Sequence, residues 1–379
     1  MIYLDNHATT KLDPAILEGL IDLLKNHEGN ASSVEHEQGL YAKKVVDDAT
    51  TIIAEYFKVA PRGVVYTAGA TEAANIGIQG IMRGNKFTSP KIILSTVEHP
   101  CVRETCLAME AEGLCAVEFV GVDTKGRLNL AELEEKAVGA SLGCFMAAQN
   151  EIGNIYPIEK IGRILKKNNC LFFCDGTQIV GKHPFSLAKA NIDFFIFSGH
   201  KIHALQGIGC LLINNFNVAL KPILFGGSQQ KGLRPGTYNV PGIYTIGAAI
   251  ADLKKNEKQT IKTMIENRDL LMSKLKEAIP NIVFNGDLEN KLPHNIHFSI
   301  PGVDNQILLN HLKQHVSVST GSACSSGVVQ HSKILEAMGL SLEIKQGAIR
   351  LSINKFVKME SLNYLFKSLA TYQINLQLK

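Results

Sequence analysis

No stretch of the 379-residue sequence comes near ~20 consecutive apolar residues, so no membrane-spanning helix is expected. The opening residues, MIYLDNHATT, lack the basic and then apolar run of a signal peptide, which points to a cytoplasmic chain. Lysine and arginine form no run of five or more and the net charge is only +4, so direct nucleic-acid contact is not expected. None of the eight cysteines forms a C-x-x-C pair, and the closest two, Cys170 and Cys174, sit in the apolar run CLFFC. A structural zinc or iron–sulfur site is therefore not expected, and most of these thiols read as small buried hydrophobes. Cys324, set among Gly and Ser, is the exception. G-x-G-x-x-G is also missing, which argues against a dinucleotide.

With 45% hydrophobic and 20% charged residues, what remains is an ordinary globular composition in a chain long enough for two domains. Asp13 and Pro14 mark the start of a helix whose apolar face is Ile16, Leu17, Leu20, Leu23 and Leu24. From residue 63 apolar runs read as strands at 63–67, 91–95, 143–148, 170–174, 193–198 and 207–213, with helical patterns at 99–112, 130–139 and 157–168 between some of them. Continuous apolar strands separated by helices predict an α/β domain with a mostly parallel sheet covered on both faces. A long polar-faced helical stretch over 241–278 then leads into a smaller α+β domain. The boundaries expected are 12–252 for the large domain, and 1–11 with 253–379 for the small one.

Ligands of such sheets bind beyond the carboxyl ends of the strands. The turn AGATEAAN opens a helix at Ala70 and Thr71, whose free N–H groups suit a phosphate. Other strand ends place His99 in VEHP, Asn150 in QNEIG, Asp175 and Gln178 in CDGTQ, and Ser198, His200 and Lys201 in SGHK. Each alone is an ordinary turn residue, but five polar groups of this kind at successive strand ends exceed what turns require. A lysine can form a Schiff base, and burial among cations lowers its pKa. An aspartate can keep a pyridine nitrogen protonated, and a histidine ring can stack on an aromatic cofactor. The set describes pyridoxal 5'-phosphate.

YLDNHATT, GATEAAN, VEHP, QNEIGN, CDGTQIVGK, FSGHKIH, LRPGT and STGSACSSG, in this order, resemble a cysteine desulfurase of the NifS/IscS-like kind, in the class V aminotransferase group of fold-type I pyridoxal-phosphate enzymes. The likeness runs from residue 2 to about 353. It implies that Lys201 carries the cofactor as a Schiff base, Asp175 pairs with the ring nitrogen and Gln178 approaches the phenolic oxygen. It further implies that His99 stacks on the ring and moves protons, while Ala70, Thr71, Ser198 and His200 hold the phosphate. Thr237 would reach the phosphate of the other subunit, making a homodimer part of the site. Asn150, beside the cofactor, and Arg350 would grip the carboxylate of L-cysteine. In the implied cycle the freed Lys201 amine removes the α-proton, and the Cys324 thiolate takes the substrate sulfur as a persulfide, leaving alanine and passing sulfur to an acceptor protein.

Three departures bear on that resemblance. His7 stands where the usual motif has Asn, with an effect at the rim of the substrate site expected. His203-Ala204-Leu205-Gln206-Gly207 replaces a Gly-Pro-Lys-Gly type of turn, altering that surface. The sequence ends 29 residues after Arg350, short of the tail by which housekeeping desulfurases touch an iron–sulfur scaffold. DNA-backbone sulfur modification, tRNA thiolation and cluster assembly stand as alternative destinations. A selenocysteine lyase, another class V aminotransferase and a binding-only relative are the rival readings.

Overall fold

A computed structural model describes residues 1–321, 332–357, 362, 365 and 366. In chain order its elements begin with β1 (Ile2–Tyr3), α1 (Pro14–Asn26), α2 (Glu37–Phe57), β2 (Val64–Thr67), α3 (Ala70–Gly84), β3 (Lys91–Ser95), α4 (Pro100–Ala111) and β4 (Ala116–Val120). Next come α5 (Leu130–Ala137), β5 (Leu142–Met146), α6 (Ile158–Lys167), β6 (Leu171–Asp175), β7 (Phe194–Ser198) and β8 (Gly209–Ile213). After the long α7 (Val240–Ala278) follow β9 (Val283–Phe284), β10 (Asn295–Ser299), α8 (Asn305–Leu312), β11 (Val316–Ser317), α9 (Lys333–Ala337), α10 (Leu342–Gln346) and β12 (Ala348–Ser352).

The main sheet has the order β2-β8-β7-β6-β5-β3-β4. Neighbours from β7 to β4 run parallel, and β8 alone is antiparallel, to both β7 and β2. All the other strands therefore share one direction, and their carboxyl ends open on one rim. Strands β5, β7 and β8 are buried along their whole length because helices cover both faces, as continuous apolar runs predict. The seven described cysteines are free and buried.

Helix α1 starts as expected, with the Asp13 side chain accepting the Ala15 N–H at 3.0 Å and Pro14 in the first turn. Its buried stripe is Ile16, Leu20 and Leu23, whereas Leu17 and Leu24 are 42% and 62% exposed. The covered stripe is narrow because, among the described residues, α1 packs chiefly on α7.

Two smaller sheets lie beyond α7. One is antiparallel in the order β12-β10-β9; the other pairs β1 with β11 in parallel. The early part of α7 buries Ile243, Ile246 and Ile250 in the core of the main sheet, and its end gives Leu271 and Leu275 to a second core with Leu4, Phe298 and Leu351. The first residues of the chain are thus stitched to the C-terminal part, and Arg350 on β12 is carried to the rim of the main sheet.

Candidate active site

A cavity of about 420 Å³ lies at the rim where the parallel strands end. That volume suits a small cofactor together with a small substrate. Each motif arrives on its own turn. Ala70 begins α3, and its N–H donates to Ser198 Oγ at 2.8 Å, which ties the end of β7 to the helix start. The close approach needs Gly209: a Cβ there would lie 2.7 Å from the Gly69 Cα. Thr71 stands exposed in the same first helical turn. His99 caps α4, and its Nδ1 accepts the Cys101 N–H at 3.1 Å, so the ring proton is on Nε2. Burial and Lys201 lower the His99 pKa while Asp175 opposes them, with burial the largest influence.

Asp175 ends β6 and is 5% exposed; its Oδ1 accepts the Thr177 N–H at 2.8 Å. Lys201 follows β7 in a tight turn, and its ammonium donates to the carbonyls of His7 and, at 2.7 Å, Ala8. Burial and then Arg350 push its pKa down to about 8, against the pull of Asp5 and Asp175. His200 is pushed down to about 4 by burial, Lys201 and Lys182; its Nδ1 lies 3.1 Å from Thr9 Oγ1. Asn150 projects from the turn after β5 and lines the cavity with Gln178.

Arg350 Nη2 bonds Asp5 Oδ1 at 2.6 Å, and Nη1 donates to the carbonyls of Asn150 at 2.8 Å and Gly321 at 3.5 Å. Among the described residues, buried atoms of cavity-lining residues lack partners at His7 Nδ1, Gln178 Oε1, Thr177 Oγ1 and Arg350 Nε. Each such atom costs about 1–3 kcal/mol unless a ligand satisfies it. With an acidic group, an amine and a helix start around the same space, they fit pyridoxal phosphate with an amino-acid carboxylate.

Ten of the residues anticipated from sequence line this one cavity: Ala70, Thr71, His99, Asn150, Asp175, Gln178, Ser198, His200, Lys201 and Arg350. Thr237 is exposed and does not line it. Cys324 lies outside the described residues. His7, expected to affect the substrate site, lines the cavity; it is 1% exposed, with its ring stacked 4.3 Å from that of His294. Its Nε2 accepts from Asn295 Nδ2 at 3.1 Å, because that amide nitrogen also donates to the Glu151 carbonyl at 2.8 Å. Missed from sequence were Asp5, which holds Arg350, and Lys182, whose buried ammonium donates to the Lys201 carbonyl at 2.8 Å. Cys101, read as a core thiol, also lines the cavity, where burial and Asp175 keep it protonated by raising its pKa.

Residues 2–365 match the model of the family "Aminotransferase class-V". The chain is 37% identical over 359 residues to a cysteine desulfurase of Nostoc sp. strain PCC 7120, covering 94% of this chain and 88% of that one. Among solved structures, a NifS-like protein superposes with a TM-score of 0.91 at 33% identity, covering 98% of this chain and 99% of that one. SspA, solved in complex with cysteine, has a TM-score of 0.80 at 26% identity over 94% of this chain and all of its own, 100%. This chain belongs to the class-V aminotransferases, whose fold places a cofactor at the strand ends just described. Within them it is a cysteine desulfurase, an enzyme dependent on pyridoxal phosphate.

Proposed function

We propose that the 420 Å³ cavity is where this desulfurase takes sulfur from L-cysteine, with Lys201 as base and Cys324 as sulfur acceptor. The observation that carries the reading is Lys201, a cavity-lining amine held by the His7 and Ala8 carbonyls, its pKa lowered to about 8 by burial and then by Arg350. Bound pyridoxal phosphate supplies an electron sink that makes the substrate α-proton acidic and its C–S bond labile. Lys201 Nζ would carry the cofactor and, once released, move the α-proton. Asp175 would hold the ring-nitrogen proton, Gln178 would face the phenolic oxygen and His99 would cover the ring. The start of α3 with Thr71, Ser198 and His200 would take the phosphate, and Arg350 with Asn150 the substrate carboxylate. The Cys324 thiolate forms an S–S bond as the substrate C–S bond breaks, the bonding pair staying on carbon. In sum, one thiol and one cysteine give one persulfide and one alanine. Borohydride treatment of the holoenzyme should fix the cofactor to the tryptic peptide containing Lys201; recovery of labelled cofactor on another peptide would refute the assignment.

The same reading gives a pH profile. Lys201 is a base only when neutral, so exchange of the substrate Cα–H with solvent deuterium should rise with pH through about 8 and then level off. Proton NMR of the recovered amino acid measures this, and a flat profile between pH ~6 and ~9 would exclude Lys201 as the base. Arg350→Lys keeps the charge but loses the planar fork, so KM for L-cysteine should rise about 10- to 100-fold with kcat much less changed. An unchanged KM in steady-state assays would remove Arg350 from the substrate site.

A homodimer is part of this reading. Thr237 is exposed, and Phe225 and Leu224 nearby in sequence are 88% and 40% exposed, an unusual outlay for side chains of this size. A second subunit covering them would bring Thr237 to its partner's phosphate. We also read the chain as divided at 12–252 and 1–11 with 253–379, cytoplasmic, and handing its persulfide to an acceptor protein. Among the described residues no helix is long and apolar enough to cross a membrane.

A further inference from the structure

The turn that places Asn150 in the cavity has a second face. Gln149 Oε1 accepts the N–H groups of Glu151 at 2.5 Å and Ile152 at 2.9 Å. Gly153 closes the turn at φ +73°, where a Cβ would lie 2.3 Å from Asn295 Cγ, and Asn295 holds the Glu151 carbonyl at 2.8 Å. The backbone of Glu151 is therefore pinned on both sides. Glu151 is 7% exposed, and its carboxyl group meets Ser332, whose Oγ lies 2.5 Å from Glu151 Oε2.

The direction of that bond follows from the other partners of Ser332. As the cap of α9 it accepts N–H groups from Ile334 and Leu335, each at 3.2 Å. With its acceptor sites taken, its hydroxyl proton is left for Glu151. Ser332 is itself 5% exposed, and it is the first described residue after 322–331. Gly321, the last described residue before that segment, abuts the same carboxylate: a Cβ on it would stand 3.3 Å from Glu151 Cβ, Cγ and Oε2. Burial raises the Glu151 pKa against the Ser332 bond and Arg350, and among the described residues no ion pair offsets that burial. A carboxyl group kept in such a place by one serine and one glycine needs a reason.

We propose that Glu151 is a positioning residue for the sulfur-transfer step, anchoring at Ser332 and Gly321 both stems of the segment that carries Cys324. The inference rests on Cys324 as the sulfur acceptor. One turn thereby serves both halves of the reaction: Asn150 faces the substrate and Glu151 sets the geometry from which the thiol approaches. Among the described residues Glu151 makes no hydrogen bond to Lys201 and acts on Arg350 only through its charge, so the later step should depend on it most.

Single-turnover mixing of holoenzyme with L-cysteine, followed by alkylation and mass spectrometry of the Cys324 peptide, separates the steps. In Glu151→Ala, persulfide formation should slow by about tenfold or more, since an ångström of misplacement is costly to a reaction between positioned groups. Cofactor absorbance changes on adding cysteine, and Cα–H exchange, should keep their wild-type rates. Ser332→Ala should reproduce the defect without removing a charge, and the double variant should be no slower than Glu151→Ala, because both break one contact. Glu151→Gln, which keeps an acceptor for the Ser332 proton, should recover to within about threefold of wild type. A full rate of persulfide formation in both alanine variants, or an equal loss of Cα–H exchange, would overturn the proposal. If the unsubstituted enzyme never forms a persulfide on Cys324, the underlying reading falls with it, and that result needs no Glu151 variant.

Discussion

Lys201→Ala is expected to bind pyridoxal phosphate without a covalent link and to lose turnover by about 10³–10⁴-fold, the upper part of what a positioned general base contributes. The structure says why the loss should be this large. An ordinary lysine, with a pKa near ~10.4, is neutral in only about one molecule in several hundred at pH ~8. Here burial and Arg350 remove most of that penalty by bringing the pKa to about 8, so roughly half of the amines are available as base at that pH. The carbonyls of His7 and Ala8 hold Nζ over the cavity, so deletion removes a placed group and not merely a charge. Lys182 does not stand in for it: that residue is buried, does not line the cavity, and its Nζ donates to the Lys201 carbonyl at 2.8 Å. Exchange of the substrate Cα–H in deuterated buffer measures the step directly. A loss below about tenfold would assign the base elsewhere, with His99 the next candidate. Added methylamine should restore part of the exchange in Lys201→Ala, since a free amine can enter a cavity from which the tethered one is missing.

Much of this site was legible because of how a parallel sheet exposes its ends. Short apolar runs locate β3, β5, β6 and β7, and strands of one direction must deliver their following turns to one rim. The convergence of His99, Asn150, Asp175, Ser198 and Lys201 on one cavity follows from that shared direction. Strand β4 escaped the same reading: AVEFV is half exposed at the sheet edge, so it lacks the continuous apolar run that marks its buried neighbours. The site's other wall was less accessible. Asp5 and Arg350 meet across 345 positions because the segment after β1 lies along β12, with a bridge from Asp5 to Ser352, and no local pattern records such a meeting. His7 stood out in sequence only as a departure from the usual Asn. Its burial depends on stacking with His294, a partner no spacing predicts. Lys182 is not singled out in sequence, and only the fold shows its ammonium meeting the Lys201 carbonyl.

Cys324→Ser should abolish transfer of sulfur from L-cysteine, a fall of about 10³-fold or more, while cofactor binding and Cα–H exchange stay at wild-type levels. A serine hydroxyl is not appreciably ionised near neutral pH, whereas a cysteine thiol with a pKa near ~8.5 supplies a useful share of thiolate. Sulfur attack needs that anion, and no described group takes over the task. The seven described cysteines are all buried, and burial raises the pKa of Cys101, the one among them that lines the cavity. The variant also separates the rival chemistries. An aminotransferase would lose nothing, because moving an amino group uses Lys201 and Asp175 and no thiol. A selenocysteine lyase that expels selenium without a thiol nucleophile would likewise retain its activity. Alanine release from L-cysteine, followed by chromatography, gives the decisive quantity: alanine produced at wild-type rate by Cys324→Ser would end the assignment of this thiol as acceptor. Its disappearance, with Cα–H exchange intact, would place the loss at the one step where carbon and sulfur part.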